Sequence, residues 1–273
     1  MKRAPASLLL HLTLAIGALA TLFPLAWMVS ASFMPAGEAN QFPPRFLPSA
    51  ATVEHYVALF TRLDVARHFW NSVIVSAAAT VLSLLINAMA GYAFAKLEFR
   101  GREKLFHALL AALVIPAQVG MLPLFLLLRS MGLVNTLAGA VIPFLASIFG
   151  ILLVRQYALR IPDDLLDAAR VDGASEWRIF LRIVVPVLRP ILVTFAAFTF
   201  LSAWNDFLWP LIVLSDTNQQ TLPVALAALS GEHVQDTELM MAGSVVTVLP
   251  VILVFLVLQR AYVRGIMAGG LKG

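Results

Sequence analysis

The residues best placed to do chemistry lie in one charged stretch. Asp167-Ala168-Ala169-Arg170-Val171-Asp172-Gly173-Ala174 is followed by Phe180 and Pro186, and eleven ionisable side chains fall within 155–189. They do not form a catalytic set. The five histidines (His11, His55, His68, His107, His233) are dispersed, and there is no His-Glu-x-x-His and no Gly-x-Ser-x-Gly elbow. Gly265 and Gly270 have the glycine spacing of a phosphate loop, but Leu271 stands where Lys is required. The chain has no cysteine, so thiolate metal sites and disulfides are excluded. No catalytic residue, metal ligand set or cofactor is expected, and any energy must come from a partner. What this stretch can do is present a surface. Pro162 suits a first helical position, and Asp163 and Asp164 complement a helix N-terminus. Small Ala168 and Ala169 permit close approach, Gly173 can take the left-handed turn that ends a helix, and Trp177, Phe180, Leu181 and Val184 recur at helical spacing until Pro186.

The rest of the chain says where that surface stands. Of 273 residues, 60% are hydrophobic and only 12% charged. A soluble domain would carry roughly twice that charged fraction. Apolar segments run over about 8–33, 69–95, 105–128, 137–154, 191–214 and 239–261. The first is too long for the core of a cleaved signal peptide and reads as an uncleaved span. The expected fold class is therefore an all-α membrane protein with six transmembrane helices.

Positive charge orients it. With the N-terminus inside, fifteen of the nineteen Lys and Arg fall in inner segments, and only Arg45, Arg62, Arg67 and Arg129 fall outside. Both termini and the 160–190 loop are then cytoplasmic. The sequence pI of about 9.8 reflects these loops rather than nucleic acid.

A second polar cluster, Trp204-Asn205-Asp206-Phe207, lies in the fifth apolar segment. An ionised Asp in hydrocarbon costs about 2.5–3.5 kcal/mol, so such residues usually face a bundle interior. Two readings stand: a solute path on which Trp204 and Phe207 stack against a ring, or an interfacial aromatic belt with Asp206 solvated. Asn87 reads as a helix-packing hydrogen bond. The outer loop over 215–238 has no Lys or Arg and exceeds a minimal turn, so it is either functional or a solvated connector.

The motifs resemble a known family. Asp167 to Gly173 resembles the Glu-Ala-Ala coupling loop of ABC importer permeases, with Asp167 in place of the usual Glu. Asn71-Ser72, Gly132-Leu133-Val134-Asn135-Thr136, Arg160-Ile161-Pro162, Ala203 to Pro210 and the Gly-rich tail extend the similarity to the carbohydrate-type permeases, and within them to the smaller permease of maltose-type importers. The resemblance implies a single transmembrane domain over 1–273 with a cytoplasmic helix–turn–helix coupling loop. It implies ATPase contact by Asp167, Ala168, Ala169, Asp172, Gly173, Ala174, Phe180 and Pro186. It implies Trp204, Asn205, Asp206 and Phe207 on the solute path, and Asn218, Gln219, Gln220, Thr221 and Leu222 against a binding protein. The implied partners are a second permease, two ATPase subunits that hold ATP and Mg, and an extracytoplasmic solute-binding protein, in a bacterial or archaeal plasma membrane. The tail would insert between the ATPases. An ion-driven transporter needs buried carboxylates along its spans, and only Asp206 qualifies. The spans offer no cation for a phosphate ester such as glycerol phosphate, which points to neutral sugars.

Overall fold

The computed structural model describes the backbone of residues 4–232 and 236–270, and the side chains of 9–228 and 236–259. Every regular element among them is helical. Among the described residues, four helices are long and apolar enough to cross a membrane: Leu9–Ala31, Val65–Lys96, Glu176–Trp204 and Thr237–Gln259. Two bent pairs raise that number to six if each is one span. The chain divides into two compact units, Met1–Arg67 with Ala225–Pro250, and His68–Val224 with Val251–Gly273.

In the first unit, α1 (Ala4–Ala31) is apolar all round, and its hydrophobic window buries nothing inside the protein. Such a helix needs lipid or another chain as its solvent. The Pro-rich segment after it wraps a buried carboxylate. Glu38 accepts from the Ser49 N–H (3.1 Å) and hydroxyl (3.1 Å) and from Arg45 (3.3 Å). In α2 (Glu54–Arg62), buried His55 meets the Met34 carbonyl at 2.9 Å. Glu238 accepts from the Ala39 N–H at 2.7 Å.

The second unit is built on α3 (Val65–Lys96). The apolar run over 105–128 is not one helix. It is α4 (Arg102–Ala112) and α5 (Met121–Ser130), with a 3-10 turn Ala117–Gly120 leading into α5 and a 100° bend between them. Pro116 is the cause. The end of α4 tightens, with Leu113, Val114 and Ile115 each donating three residues back, and Pro116 then has no N–H to continue. Pro123 is tolerated because it falls in the first turn of α5.

The run over 137–154 is likewise broken, into α6 (Leu137–Val141) and α7 (Ile148–Ala158), bent by 46°. Asn87, fully buried on α3, repairs the break. Its amide donates to the Leu145 carbonyl (3.1 Å) and accepts from the Ser147 N–H (2.9 Å). Backbone groups opened inside a bilayer must find such partners, which accounts for a buried amide here. Glycines set the helix spacing. A Cβ on Gly91 would stand 2.6 Å from Val154, and one on Gly150 would overlap the Phe195 ring.

The remaining helices are α8 (Asp163–Val171), α9 (Glu176–Ile179), α10 (Val185–Trp204), α11 (Leu208–Val213), α12 (Leu222–Glu232) and α13 (Thr237–Gly270). The outer connector expected over 215–238 is thus largely helical. Leu222-Pro223 opens α12 with Pro in its first turn, where the missing N–H costs nothing. The Gly-rich tail continues as helix to Gly270, and residues 271–273 lie outside the described residues.

Candidate functional site

The 163–186 element is held from beneath at two points. Lys96, at the end of α3, donates to the Ile161 carbonyl (2.6 Å) and to Asp163 Oδ1 (2.7 Å), which seats the start of α8. Tyr92, one turn earlier, donates to Glu176 Oε2 at 2.9 Å. Leu166 turns inward from α8 and joins Ile161, Ile179, Phe180 and Val184 in an apolar core with Ala88 and Val154. This core and the two polar anchors fix α8 to the ends of α3 and α10.

The turn after α8 is set by glycine. Gly173 has φ +79°. Its N–H reaches the Arg170 carbonyl (3.0 Å), and the Ala174 N–H reaches the Ala169 carbonyl (3.0 Å). These two bonds make a Schellman motif, which needs a left-handed residue at that position. Ser175 then caps the next helix by accepting from the Arg178 N–H at 3.4 Å. Across the turn, Arg170 donates to Glu176 (2.6 Å) and to Asp167 (2.6 Å). Those hydrogen bonds, Glu176 first and then Asp167, hold the guanidinium above its ordinary pKa and keep it charged.

The second helix of this element does not end at Pro186. It runs on through Trp204 as one span from Glu176. A wide π turn at Phe180–Val184, in which Val185 donates five residues back to Phe180, precedes the proline. This widened turn makes room for a ring that would clash with an ordinary helical carbonyl. The 163–186 element is therefore α8 and a tight turn on the extended end of a long apolar helix.

Of the residues singled out, Asp167, Ala168, Asp172, Gly173 and Pro186 are exposed, Ala169 and Ala174 are half-buried, and Phe180 is buried against Tyr92 and Trp177. Beside them stand apolar side chains that water alone would disfavour: Val171 is 87% exposed, and Leu165 and Trp177 are exposed as well. An exposed apolar patch within a charged loop makes this element a candidate docking surface. Tyr92, Lys96 and Glu176 were missed by sequence reasoning. Their signal was the i, i+4 pair of polar residues at the end of an apolar helix.

The 204–207 cluster divides. Trp204 is fully buried, stacked on Phe200 (5.9 Å, 12°) and edge-on to Phe69 (5.7 Å). Asn205 is exposed, and its amide donates to the Leu201 carbonyl at 2.9 Å, closing the end of α10. Asp206 is half-buried and accepts from the Trp209 N–H at 3.5 Å, at the start of α11. The Asn-Asp pair thus supplies partners on both sides of a helix break, as Asn87 does between α6 and α7. Phe207 is exposed.

The 218–222 segment also divides. Asn218 is exposed, Gln219 and Gln220 are half-buried, and Thr221 and Leu222 are buried. The segment is pinned to the start of α3. The Gln220 carbonyl accepts from His68 (3.0 Å) and Asn71 (3.0 Å), and the Leu222 N–H donates to the Ser72 hydroxyl (2.8 Å). Only its 218–220 part leaves side chains accessible in this conformation.

Residues 87–267 match the family described as binding-protein-dependent transport system inner membrane component. Over 270 residues, 98% of this chain and 97% of the relative, the sequence is 39% identical to the arabinooligosaccharides transport system permease protein AraQ of Halalkalibacterium halodurans. It is 34% identical over 95% of its length to the lactose transport system permease protein LacG of Rhizobium radiobacter, covering 94% of that protein. Its fold matches a chain of a bacterial ABC transporter involved in the import of the acidic polysaccharide alginate, with a TM-score of 0.81 and 26% identity over 94% of this chain and 96% of that one. On the family match and this near end-to-end identity, the chain belongs to the inner-membrane components of binding-protein-dependent transport systems.

Proposed function

We propose that this chain is a permease subunit of an ATP-driven sugar importer and forms half of its translocation pathway. It crosses the membrane six times, with each bent pair counted as one span and both termini cytoplasmic. The observation that carries the reading is the 163–186 element. It is braced to two spans by Lys96, Tyr92 and Arg170, and it offers Leu165, Ala168 and Val171 outward. A rigid, anchored apolar patch is what transmits a push without absorbing it. ATP binding, with Mg, closes two partner ATPase subunits. α8 follows that closure, and the anchors pass it to α3 and α10 as rigid-body motion that alternates access. A second permease completes the path, and a binding protein delivers solute to the outer face, where 218–220 meets it. Sugar as the solute class rests on the relatives' named substrates.

The test is uptake in proteoliposomes that contain this chain, its partner permease and the ATPase, with ATP inside and binding protein outside. Sugar uptake should require both. Uptake that persists with an ATPase unable to hydrolyse ATP, or that follows an ion gradient, refutes the proposal.

A further inference from the structure

The continuous helix Glu176–Trp204 has 29 residues. At 1.5 Å per residue that is about 43 Å, against a hydrocarbon core of about 30 Å. The excess belongs at the Glu176 end, where the charged residues are. Counted back from Trp204, Arg189 then lies about 22 Å along the helix, so the continuous span takes in a cation that the hydropathy boundary near 191 assigns to the cytoplasmic loop. It is exposed and has no hydrogen-bond or ion-pair partner among the described residues. An uncompensated guanidinium there is costly and turns its side chain toward the headgroups.

Arg189 also sits on an apolar groove. A cavity of about 410 Å³ is lined by Leu84 of α3 and by Val185, Leu192, Val193 and Ala196, with Arg189 as its one charged residue. Arg182, likewise exposed and unpartnered among the described residues, follows roughly two turns nearer the cytoplasm. The groove asks for a hydrocarbon chain, and the guanidinia ask for an anion at headgroup depth. A neutral lipid satisfies only the first, and a soluble anion only the second.

We propose that this groove is a binding site for an anionic glycerophospholipid of the inner leaflet. One acyl chain lies along Leu84, Leu192, Val193 and Ala196. The phosphate is held by Arg189, with Arg182 adding to the attraction. The proposal rests on the cytoplasmic placement of the Glu176 end argued above, and not on the solute or on ATPase coupling.

Lipid retention by the full chain tests it. The purified protein in detergent is exposed to equimolar phosphatidylglycerol and phosphatidylcholine, and bound lipid is counted by native mass spectrometry. Wild type should retain phosphatidylglycerol over phosphatidylcholine. Arg189→Gln should weaken that retention roughly fivefold, and Arg189→Lys should restore most of it. Val193→Trp, which fills the groove and leaves the charge, should also lose the lipid. Equal retention of the two lipids, or undiminished phosphatidylglycerol on Arg189→Gln, overturns the proposal. Displacement of the lipid by millimolar inorganic phosphate would assign the site to a soluble anion and overturn it equally. No readout here involves uptake, so failure leaves the transport reading standing.

Discussion

Replacing Gly173 tests the link from one dihedral angle to partner docking. Its φ of +79° lies in the left-handed region, and a Cβ built on it meets nothing within 4 Å. The cost of a side chain is therefore backbone strain alone. That is about 1–2 kcal/mol for Ala, and more for β-branched Val. One to two kcal/mol is a factor of roughly 5–30 in the population of the turn. When the turn opens, the Ala174–Ala169 and Gly173–Arg170 bonds are lost, and Arg170 no longer reaches Glu176. α8 stays tied to Lys96 but loses its second anchor. Co-purification of the ATPase should fall in the order Gly, Ala, Val, with solute-stimulated ATP hydrolysis falling alongside. Gly173→Asn separates strain from bulk, because Asn tolerates the left-handed region. It should retain most of the association. If Asn and Val variants dock equally poorly, strain is not the cause. If Val docks as wild type does, the turn does not position the surface.

Other substitutions test the remaining geometry. Trp204→Ala should cost about 3–5 kcal/mol of stability, read as a lowered Tm in detergent, and Phe207→Ala should leave Tm unchanged; the opposite pattern would return Trp204 to the solute path. Gly150→Ala drives a methyl against the Phe195 ring and should cost about 1–3 kcal/mol, whereas Gly120→Ala, with open space around it, should be neutral in the same melt. A photocrosslinker at Gln219 should capture the binding protein when ATP is trapped, while one at buried Leu222 should not. Capture at neither position with intact uptake would make 215–221 a connector.

Much of this was legible in the residues themselves. Asp163 and Asp164 after Pro162, Gly173 and the apolar spacing of Phe180 and Val184 marked the helix, turn and helix in advance. Asn87 was read as a packing amide and is one. What escaped the sequence was the breaks. A hydropathy run over 105–128 or 137–154 registers apolarity, and apolarity is the same on both sides of a 100° or a 46° bend. Pro116 stops its helix, whereas Pro186 does not, because the five-residue π turn Phe180–Val184 precedes it and makes room for its ring. Asn205 and Asp206 could be read as lining a solute path or as part of an interfacial belt, because apolarity alone does not say what a polar pair in such a run faces. Their partners, Leu201 and Trp209, show that they also serve the backbone. Trp204 reads as an aromatic platform until its burial by Phe69 and Phe200 is known.

On this reading α8 meets an ATPase on the cytoplasmic side. The chain has no cysteine, so Ala168→Cys supplies a single thiol in the exposed middle of α8. In inside-out membrane vesicles it should react with a membrane-impermeant maleimide, and a short bifunctional crosslinker should join it to the ATPase subunit. In right-side-out vesicles it should not react. Labelling from the outer face, or failure to capture the ATPase in a complex that still imports sugar, would contradict the account.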